Sequence, residues 1–385
     1  MEQDARASGG GLISMRVVIA TSTGFHLRHL AREFSAAGIE VEFHSYLPKW
    51  KTGQSGIPDA AARSHFLGLL PDSLLSVSHL PGARAARERL FSKVDLQTLR
   101  SMGPADVFIG LSGIAVESAR RARHNGALVL LERGSSHILT QRDIALTTGA
   151  RPPSEVYIRR ELAGYEIAHK VVVPSAFAMK SFIDQGFPAE RLERQILATD
   201  LDLFVADDHV PSAPVKCLYV GNWSRRKGVE LILELLARRE DLTISHIGTI
   251  DDVAAPDHPR LRLMGRLPPG QVAEQMRRHD LFLFPSLDDG FGMVLAEALA
   301  SGLRVVASDA SGGPDLAAIF GTQYVTIFPS GDAAAFVAGV DQQAAALLAD
   351  PAARAAPQSA IDQISWPGYA ARYLAMIERL RGGTA

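Results

Sequence analysis

Two acids flank a glycine-rich turn in the stretch PSLDDGFGMVLAEALASG, residues 285–302. Asp289 stands before Gly290 and Gly292, and Glu297 follows after seven intervening residues, about one turn into an expected helix. Glycines let a backbone approach a ligand closely, and amides that open a helix donate to phosphate. Carboxylates accept hydrogen bonds from vicinal hydroxyls, as in ribose recognition. The turn therefore predicts a ligand with both phosphate and hydroxyl groups; a helix cap and a surface acid are the alternative.

A basic cluster precedes another expected helix, where NWSRRKG follows the apolar run CLYVG. Arg225, Arg226 and Lys227 would oppose the dipole of that helix, at about 0.3–1 kcal/mol each. The same cations are well placed if an anion binds at the helix end, where free amides add to their charge. The alternative is a solvated run of charges. The cluster and the acidic turn together indicate a phosphate-bearing ligand.

Short apolar runs alternate with longer amphipathic stretches along the whole chain. In the first half the runs are MRVVIATS, IEVEFHSYLP, ADVFIGLSG, GALVLLERG and HKVVVPS. A Pro- and Asp-rich stretch at 207–215 follows, and then come KCLYVGN, LTISHIG, LRLMG, DLFLFPS, LRVVAS and QYVTIFP. This rhythm predicts an α/β protein with two doubly wound parallel sheets, whose ligands bind at the carboxyl ends of the strands. At 385 residues the chain is also too long for one comfortable core.

The composition excludes several classes of protein. Forty basic and 42 acidic residues give a formal charge of −2, which offers no bulk attraction for nucleic acid or anionic membranes. Cys217 is the only cysteine, so an intrachain disulfide and a multi-cysteine metal site are excluded. The opening 14 residues have neither the basic start nor the apolar core of a signal peptide, and no uncharged apolar window reaches membrane-spanning length. We expect a cytoplasmic protein.

A family resemblance rests on YVGNWSRRKGVELIL and FPSLDDGFGMVLAEALASGLRVVASDASGGPDL. Together they resemble family 4 of the retaining glycosyltransferases, the group 1 glycosyltransferases, over nearly the whole chain. The acidic motif of that family is Glu-x7-Glu, and Asp289 to Glu297 matches it with Asp in first place. The resemblance implies the GT-B fold, with two Rossmann-like domains facing a central cleft. It also implies transfer of a sugar from a nucleotide-diphosphate sugar to a hydroxyl of a glycan, lipid or small-molecule acceptor.

The resemblance assigns roles to the acidic turn residue by residue. It implies that Glu297 binds the ribose of the donor and that Asp289 contacts sugar hydroxyls near C3 and C4. The backbone after the first glycine would meet the distal phosphate, which makes four further donor-binding residues: Gly290, Phe291, Gly292 and Met293. Neither acid would be a covalent nucleophile, because the acceptor attacks from the leaving-group face and the phosphate takes its proton.

The basic cluster departs from the family in one position. Lys227 matches the lysine that neutralises the diphosphate, and we expect it to stabilise the leaving group. Asn222 replaces the arginine that usually follows the strand's glycine. Either Arg225 or Arg226 is therefore expected to supply the second phosphate cation.

The first half of the chain carries weaker marks of the same family. In TSTGFHLRHLAREF, the resemblance implies that Gly24 lies at the first strand-to-helix turn, near the donor phosphate or the acceptor, and that His26, which opens the helix, lies on the acceptor side. In ERGSSHILTQRD, which resembles one branch of the family, Arg133 and Ser136 are expected on the acceptor side. His137 would lie in the active site near the transferred sugar; the alternative is an ordinary hydrogen-bonding histidine.

An Asp-x-Asp pattern at Asp200 and Asp202 resembles the metal-binding motif of a different glycosyltransferase fold. Such short patterns are common by chance, and the basic cluster already supplies positive charge. We expect neither a metal nor a cofactor beyond the nucleotide sugar itself. Two rival functions stay open, a nucleotide-sugar epimerase and a catalytically decayed GT-B binding protein.

The expected domain organisation follows from these assignments. An acceptor-side domain spans 15–207 after a flexible tail at 1–14, and a linker at 208–215 leads to the nucleotide-sugar-binding domain at 216–365. A C-terminal amphipathic helix at 366–385 is expected to pack back toward the N-terminal domain. Residues 83–93 can be either a solvated helix or a basic face that makes peripheral contact with the inner membrane face.

Overall fold

The computed structural model describes residues 15–22, 26–66 and 83–382. Contacts between Cα atoms divide the chain into two compact units, Met1–Leu130 and Leu131–Ala385. The division falls within a strand and does not coincide with the expected linker at 208–215, so the domain boundaries stay a prediction. Gly24 and the expected tail at 1–14 lie outside the described residues.

Short parallel strands alternate with helices through the first unit. The strands are β1 (Arg16–Ala20), β2 (Glu40–Ser45), β3 (Ala62–Ser64), β4 (Val107–Leu111) and β5 (Leu128–Glu132), the last of which crosses into the second unit. The helices are α1 (Leu27–Ala36), α2 (Lys49–Gln54), α3 (Ala83–Ser101) and α4 (Val116–His124). Helix α1 ends as the pattern predicts, with Gly38 just beyond it at φ +78°.

The second unit contains the remaining elements. Its further strands are β6 (Lys170–Val173), β7 (Leu192–Arg194), β8 (Val215–Val220), β9 (Leu242–Ile247), β10 (Leu261–Leu263), β11 (Leu281–Phe284), β12 (Arg304–Ser308) and β13 (Val325–Phe328). Its helices are α5 (Ile138–Thr147), α6 (Glu155–Ile167), α7 (Ala176–Asp184), α8 (Val229–Arg238), α9 (Pro269–Arg277), α10 (Met293–Ala300), α11 (Gly313–Phe320), α12 (Ala333–Ala349), α13 (Gln358–Ile361) and α14 (Trp366–Gly382).

The strands form a seven-stranded sheet in the order β3-β2-β1-β4-β5-β6-β7 and a six-stranded sheet in the order β10-β9-β8-β11-β12-β13. In the six-stranded sheet all pairs are parallel, with Leu281 of β11 opposite Cys217 of β8. Strands β8 and β11 are neighbours although helix α8, two strands and helix α9 separate them along the chain. The chain reverses its winding direction here, and such a switch point is where open α/β sheets bind ligands.

The predicted fold class is confirmed, because parallel strands alternate with helices in both halves of the chain. All six strand candidates of the second half are strands. Two strands of the first sheet were not predicted. Strands β3 and β7 have three residues each and lie at the two edges of that sheet. Their sequences ARS and LER contain no apolar run, because a short edge strand needs few buried side chains.

Helix α14 packs against the end of β5, against β7 and against the segment that follows β7. The Tyr369 hydroxyl lies 3.4 Å from the Glu132 carboxylate, and Arg372 donates to the Ile196 carbonyl at 3.0 Å. Nearer the helix end, Arg379 forms an ion pair with Glu193 at 2.7 Å. These contacts fix the last described helix onto the first sheet within the second unit. In the described part of the chain, no helix is long and apolar enough to cross a membrane.

Candidate functional site at the β8 and β11 turns

The basic cluster forms a separate turn before helix α8. Arg225 to Lys227 make one turn of 3-10 helix, Gly228 follows with φ +70°, and α8 begins at Val229 with Glu230 in its first turn. The three cations therefore precede the helix rather than occupy its first turn. A Cβ atom on Gly228 would lie 1.8 Å from the carbonyl oxygen of Pro285, so only glycine fits here.

Two hydrogen bonds fasten the basic turn to the acidic turn that follows β11. The Leu287 amide donates to the Arg226 carbonyl at 2.9 Å, and Nη1 of Arg226 donates to the Asp288 carbonyl at 2.8 Å. Beside them, the Lys227 ammonium forms an ion pair with the Asp289 carboxylate. The fold thus brings together the two stretches that the sequence marks for phosphate and hydroxyl recognition.

Asp289 is held in its ionised form by its surroundings. Burial raises the pKa of this carboxyl, but Lys227 and Arg226 outweigh it and the net pKa lies below its usual value. Its Oδ1 accepts from the Phe291 amide at 3.2 Å. Helix α10 begins at Met293, and its N-cap is Gly292 at φ +76°, so Asp289 is not the N-cap residue.

Glu297 lies in the second turn of α10 and is half-buried. Burial raises the pKa of its carboxyl to about 7. Among the described residues the side chain has no hydrogen-bond or ion-pair partner. A carboxyl in such a position gains most from a ligand that donates hydrogen bonds to its charged form.

The two arginines of the cluster differ in where they point. Arg226 reaches the acidic turn, as described above. Arg225 lies nearer the surface, with its Nε 3.5 Å from Glu230 and its side chain 49% exposed. Asn222, at the position of the family's usual arginine, accepts a hydrogen bond from the Thr249 hydroxyl at 3.0 Å. Of the two candidates, Arg226 is the one that shares a site with Lys227 and Asp289.

Arg133 is buried, and the protein itself occupies all three nitrogens of its guanidinium. Nε donates to the Ser136 carbonyl at 3.0 Å, Nη1 to Glu161 at 2.7 Å and Nη2 to Gln141 at 2.8 Å. Burial lowers the pKa of Arg133, but Glu161 and the other acidic groups around the guanidinium together outweigh it, so the pKa lies above its usual value. Arg133 therefore holds the loop 133–137 in place.

The loop 133–137 lies directly against the acidic turn. The Ser136 hydroxyl donates to Oδ1 of Asp288 at 2.8 Å, and the Ser175 hydroxyl donates to the Gly290 carbonyl. A Cβ atom on Gly290 would lie 2.2 Å from the Gly134 carbonyl oxygen and 2.5 Å from the Ser135 Cα. The close approach that requires glycine at 290 is thus an approach between two protein backbones.

His137 is the N-cap of helix α5. Its Nδ1 accepts from the Leu139 amide at 3.3 Å, and its own amide donates to the Ser181 hydroxyl at 2.8 Å. The ring packs against Tyr165 and Phe182, with centroids 5.1 and 4.8 Å away. Burial and, to a lesser degree, Arg133 lower the pKa of His137 to about 4. The ring is neutral at pH 7, with its proton on Nε2 because Nδ1 accepts.

The remaining candidates lie elsewhere. His26 is buried at the N-cap of α1 in the first unit. Asp200 and Asp202 are exposed, and Oδ1 of Asp200 accepts from the Asp202 amide at 3.1 Å in a local turn. Over residues 15–22, 26–66 and 83–382, no group of three or more His, Cys, Asp or Glu side chains could hold a metal ion.

Sequence reasoning missed two acids of this region. Asp288 is fully buried and binds both Ser136 and Arg226, although the family spacing draws attention only to its neighbour. Asp315, in the first turn of α11, accepts from the Ala176 amide at 2.9 Å and from Arg194 at 2.8 Å. The available signal was an acid inside an otherwise apolar stretch, where a carboxylate needs a partner.

Comparison with known protein families gives a match in the second half of the chain. Residues 214–345 match the family described as "Glycosyl transferases group 1". The region contains β8 to β13 and both turns of the candidate site.

Two curated relatives from mycobacteria show sequence similarity over part of the chain. Alpha-maltose-1-phosphate synthase of Mycobacterium tuberculosis is 29% identical over 176 residues, which is 40% of this chain and 45% of that protein. A GDP-mannose-dependent alpha-mannosyltransferase of Mycolicibacterium smegmatis is 30% identical over 161 residues, 39% of this chain and 42% of that protein. The chain thus matches less than half the length of either relative.

Solved structures resemble the chain over nearly its whole length. Sucrose-phosphate synthase from Thermosynechococcus elongatus has a TM-score of 0.69 at 16% identity, covering 96% of this chain and all of that one. HepE of Anabaena, solved with UDP and glucose, has a TM-score of 0.63 at 14% identity, with coverage of 95% and 100%. At such low identity the likeness concerns the fold alone, and the fold is GT-B.

Proposed function

We propose, on the premise that residues 214–345 form a group 1 glycosyltransferase domain, that this chain transfers a sugar from a nucleotide-diphosphate sugar to an acceptor hydroxyl. One observation carries the proposal. At the switch point of the second sheet Lys227 pairs with Asp289 and Arg226 with the adjacent Asp288, and the half-buried Glu297 follows in the next helix. Cations for a diphosphate and acids for hydroxyl groups thus occur in one small region.

The chemistry follows from the charge that must be stabilised. When the sugar–phosphate bond breaks, negative charge grows on the nucleoside diphosphate, and fixed cations stabilise it best where little water intervenes. Lys227 is only 15% exposed and is already oriented by Asp289. In the proposed reaction Lys227 and Arg226 bind the diphosphate, and the amides of Gly292 and Met293 add hydrogen bonds from the opening of α10, while the Phe291 amide holds Asp289.

The acids and the histidine take the roles that the family-4 resemblance implies. Asp289 binds hydroxyls of the transferred sugar, and Glu297 binds the ribose. His137 is neutral, so its Nε2 can donate a hydrogen bond to the sugar but is not a cationic acid at pH 7. The reaction is retaining and needs no metal. The acceptor attacks from the leaving-group face, and the phosphate accepts its proton.

The donor and the acceptor are defined only by class. The donor is a UDP-, GDP-, ADP- or TDP-sugar, and the acceptor is a glycan, a lipid-linked molecule or a small molecule. We propose a cytoplasmic enzyme that binds no nucleic acid and makes at most peripheral contact with the inner membrane face.

The test is a thermal-shift panel of these four donor classes, followed by assays of nucleoside diphosphate release with candidate acceptors. A ligand at 100 times its dissociation constant stabilises the folded state by about 2.7 kcal/mol, which is readily seen as a rise in Tm. We expect one class to raise Tm in the wild type and much less in Lys227→Ala.

Three results would speak against transfer. No shift with any nucleotide sugar would exclude donor binding. Release of an altered sugar without an acceptor would favour the epimerase, and a shift without turnover for any acceptor would favour the decayed binding protein.

A further inference from the structure

Asp288 is a fully buried carboxylate that lies just outside the family's acidic motif, which begins at Asp289. Its side chain is 0% exposed, and a buried carboxylate needs partners that replace its hydration. Ser136 donates to Oδ1 at 2.8 Å, and Arg226 approaches Oδ2 at 3.5 Å. Arg226 also donates from Nη1 to the Asp288 carbonyl oxygen at 2.8 Å. Asp288 thus contacts a loop on one side and an arginine on the other.

The Arg226 guanidinium is held by one edge only. Nη1 makes both contacts with Asp288, while Nε and Nη2 make no hydrogen bond within the described part of the chain. The side chain is 34% exposed, so a ligand can reach it. A planar guanidinium fixed at one edge offers its other N–H groups in an orientation suited to phosphate oxygens.

We propose that Asp288 is a positioning residue that orients Arg226 toward the diphosphate of the donor, an inference that rests on the proposed function. It explains how the chain manages without the family's usual arginine, which is Asn222 here. Arg225 has no contact with Asp288 and instead lies beside Glu230 at the surface. Asp288 thereby determines that Arg226 supplies the second phosphate cation.

The loop 133–137 supports this arrangement from behind. Arg133 holds the Ser136 carbonyl at 3.0 Å, and the Ser136 hydroxyl fixes one oxygen of Asp288. The other oxygen is left to face Arg226. Ser136 therefore acts on phosphate recognition through Asp288.

A double-mutant cycle tests the proposal. The variants are Asp288→Asn, which retains the shape and the bond from Ser136 but loses the charge, Arg226→Gln, and their combination. The probes are the nucleoside diphosphate that binds the wild type and the corresponding nucleoside, titrated by ligand-observed NMR. We expect each single variant to weaken diphosphate binding about tenfold and to leave nucleoside binding unchanged. The double variant should bind the diphosphate as tightly as Arg226→Gln alone, because Asp288 acts through Arg226.

Arg225→Gln is the matched control, since it removes the same charge from the same turn. Its effect should multiply with that of Asp288→Asn. The inference is overturned if the effects of Asp288→Asn and Arg226→Gln also multiply, or if Asp288→Asn weakens the nucleoside and the diphosphate equally.

A milder variant covers the case in which Asp288→Asn does not fold. Ser136→Ala removes only the bond to Oδ1 and is expected to weaken diphosphate binding severalfold, with no further effect in the Arg226→Gln background. An additive effect there overturns the inference. If the wild type binds no nucleoside diphosphate, the proposed function falls as well. If it binds one and the cycles are additive, only the role of Asp288 falls.

Discussion

The loop 133–137 and the acidic turn 288–292 lie against each other, yet they use their polar groups differently. Within the loop, Arg133 directs its donors to Glu161, Gln141 and the Ser136 carbonyl. At the turn and its neighbours, Arg226 and Glu297 keep hydrogen-bonding capacity that no described residue occupies. The difference separates support, by Arg133 and its partners, from recognition, by the turn and by Ser136, which binds it: we expect changes in the first group to lower stability and changes in the second to lower ligand binding and turnover.

The largest expected effect is on stability, through the partners of Arg133. Glu161→Leu leaves the buried Arg133 without its counter-ion, and breaking a buried pair in this way costs about 3–5 kcal/mol. Denaturant unfolding should show that loss, and Glu166→Gln, an exposed position on the same helix, should leave the midpoint nearly unchanged. If both variants unfold like the wild type, the loop is not a support.

Lys227→Ala should have the largest effect on the recognition side. Removal of a group that stabilises transition-state charge costs about 2.7–4 kcal/mol in the activation free energy. We expect turnover at saturating donor to fall by about 100-fold or more, while the thermal midpoint without ligand changes little. Preserved turnover would make Lys227 a charge that serves only its pairing with Asp289.

A moderate, pH-dependent effect on stability and donor affinity is expected from Glu297. The folded-state pKa of about 7 exceeds the ordinary value of 4.5, so the folded protein binds this proton more tightly than the unfolded chain. The free energy of unfolding therefore falls as pH rises from 4.5 to about 7. If ribose binds the ionised carboxylate, donor affinity rises with pH and is about tenfold weaker at pH 6 than at pH 8.

Glu297→Gln should remove this pH dependence and weaken donor binding at pH 8, with a smaller effect on turnover at saturation. Isothermal titration at the two pH values checks both statements. The ribose assignment is wrong if the variant binds donor as the wild type does.

The smallest expected effect concerns metal. If Lys227 and Arg226 supply the positive charge as proposed, turnover should survive excess EDTA. Asp202→Asn should leave kcat within about twofold of the wild type, because exposed substitutions are usually mild. Loss of activity with EDTA, restored by Mg²⁺ or Mn²⁺ in the wild type but not in Asp202→Asn, would contradict the assignment of the cations and the family-4 mechanism together.

The sequence predicts the second sheet well because each of its strands is an apolar run that ends in a small or polar residue. It also predicts that the basic cluster 225–227 and the acidic turn 288–292 share one site, although not the ion pair between Lys227 and Asp289 that the structure shows. It does not predict the role of Asp288, whose partner Ser136 lies 152 residues earlier in the chain. Likewise, the local sequence around Gly290 suggests that a ligand approaches the backbone there, whereas in the structure the backbone of Gly134 makes that close approach. Contacts of this range leave no periodic signal in a single sequence.

The contacts of Ser136, Ser175 and Ala176 with residues 288–315 have a consequence for the exchange of segments between homologous proteins. A chimera that takes residues 214–345 from a relative replaces Asp288, Gly290 and Asp315 but keeps the Ser136 and Ser175 hydroxyls and the Ala176 amide that bind them. Such a chimera has one partner of each contact from each parent protein, and the two need not match. An exchange that preserves these contacts has to transplant 133–137 and 175–176 together with the C-terminal sheet, so the residues that build this site come from separate segments of the gene.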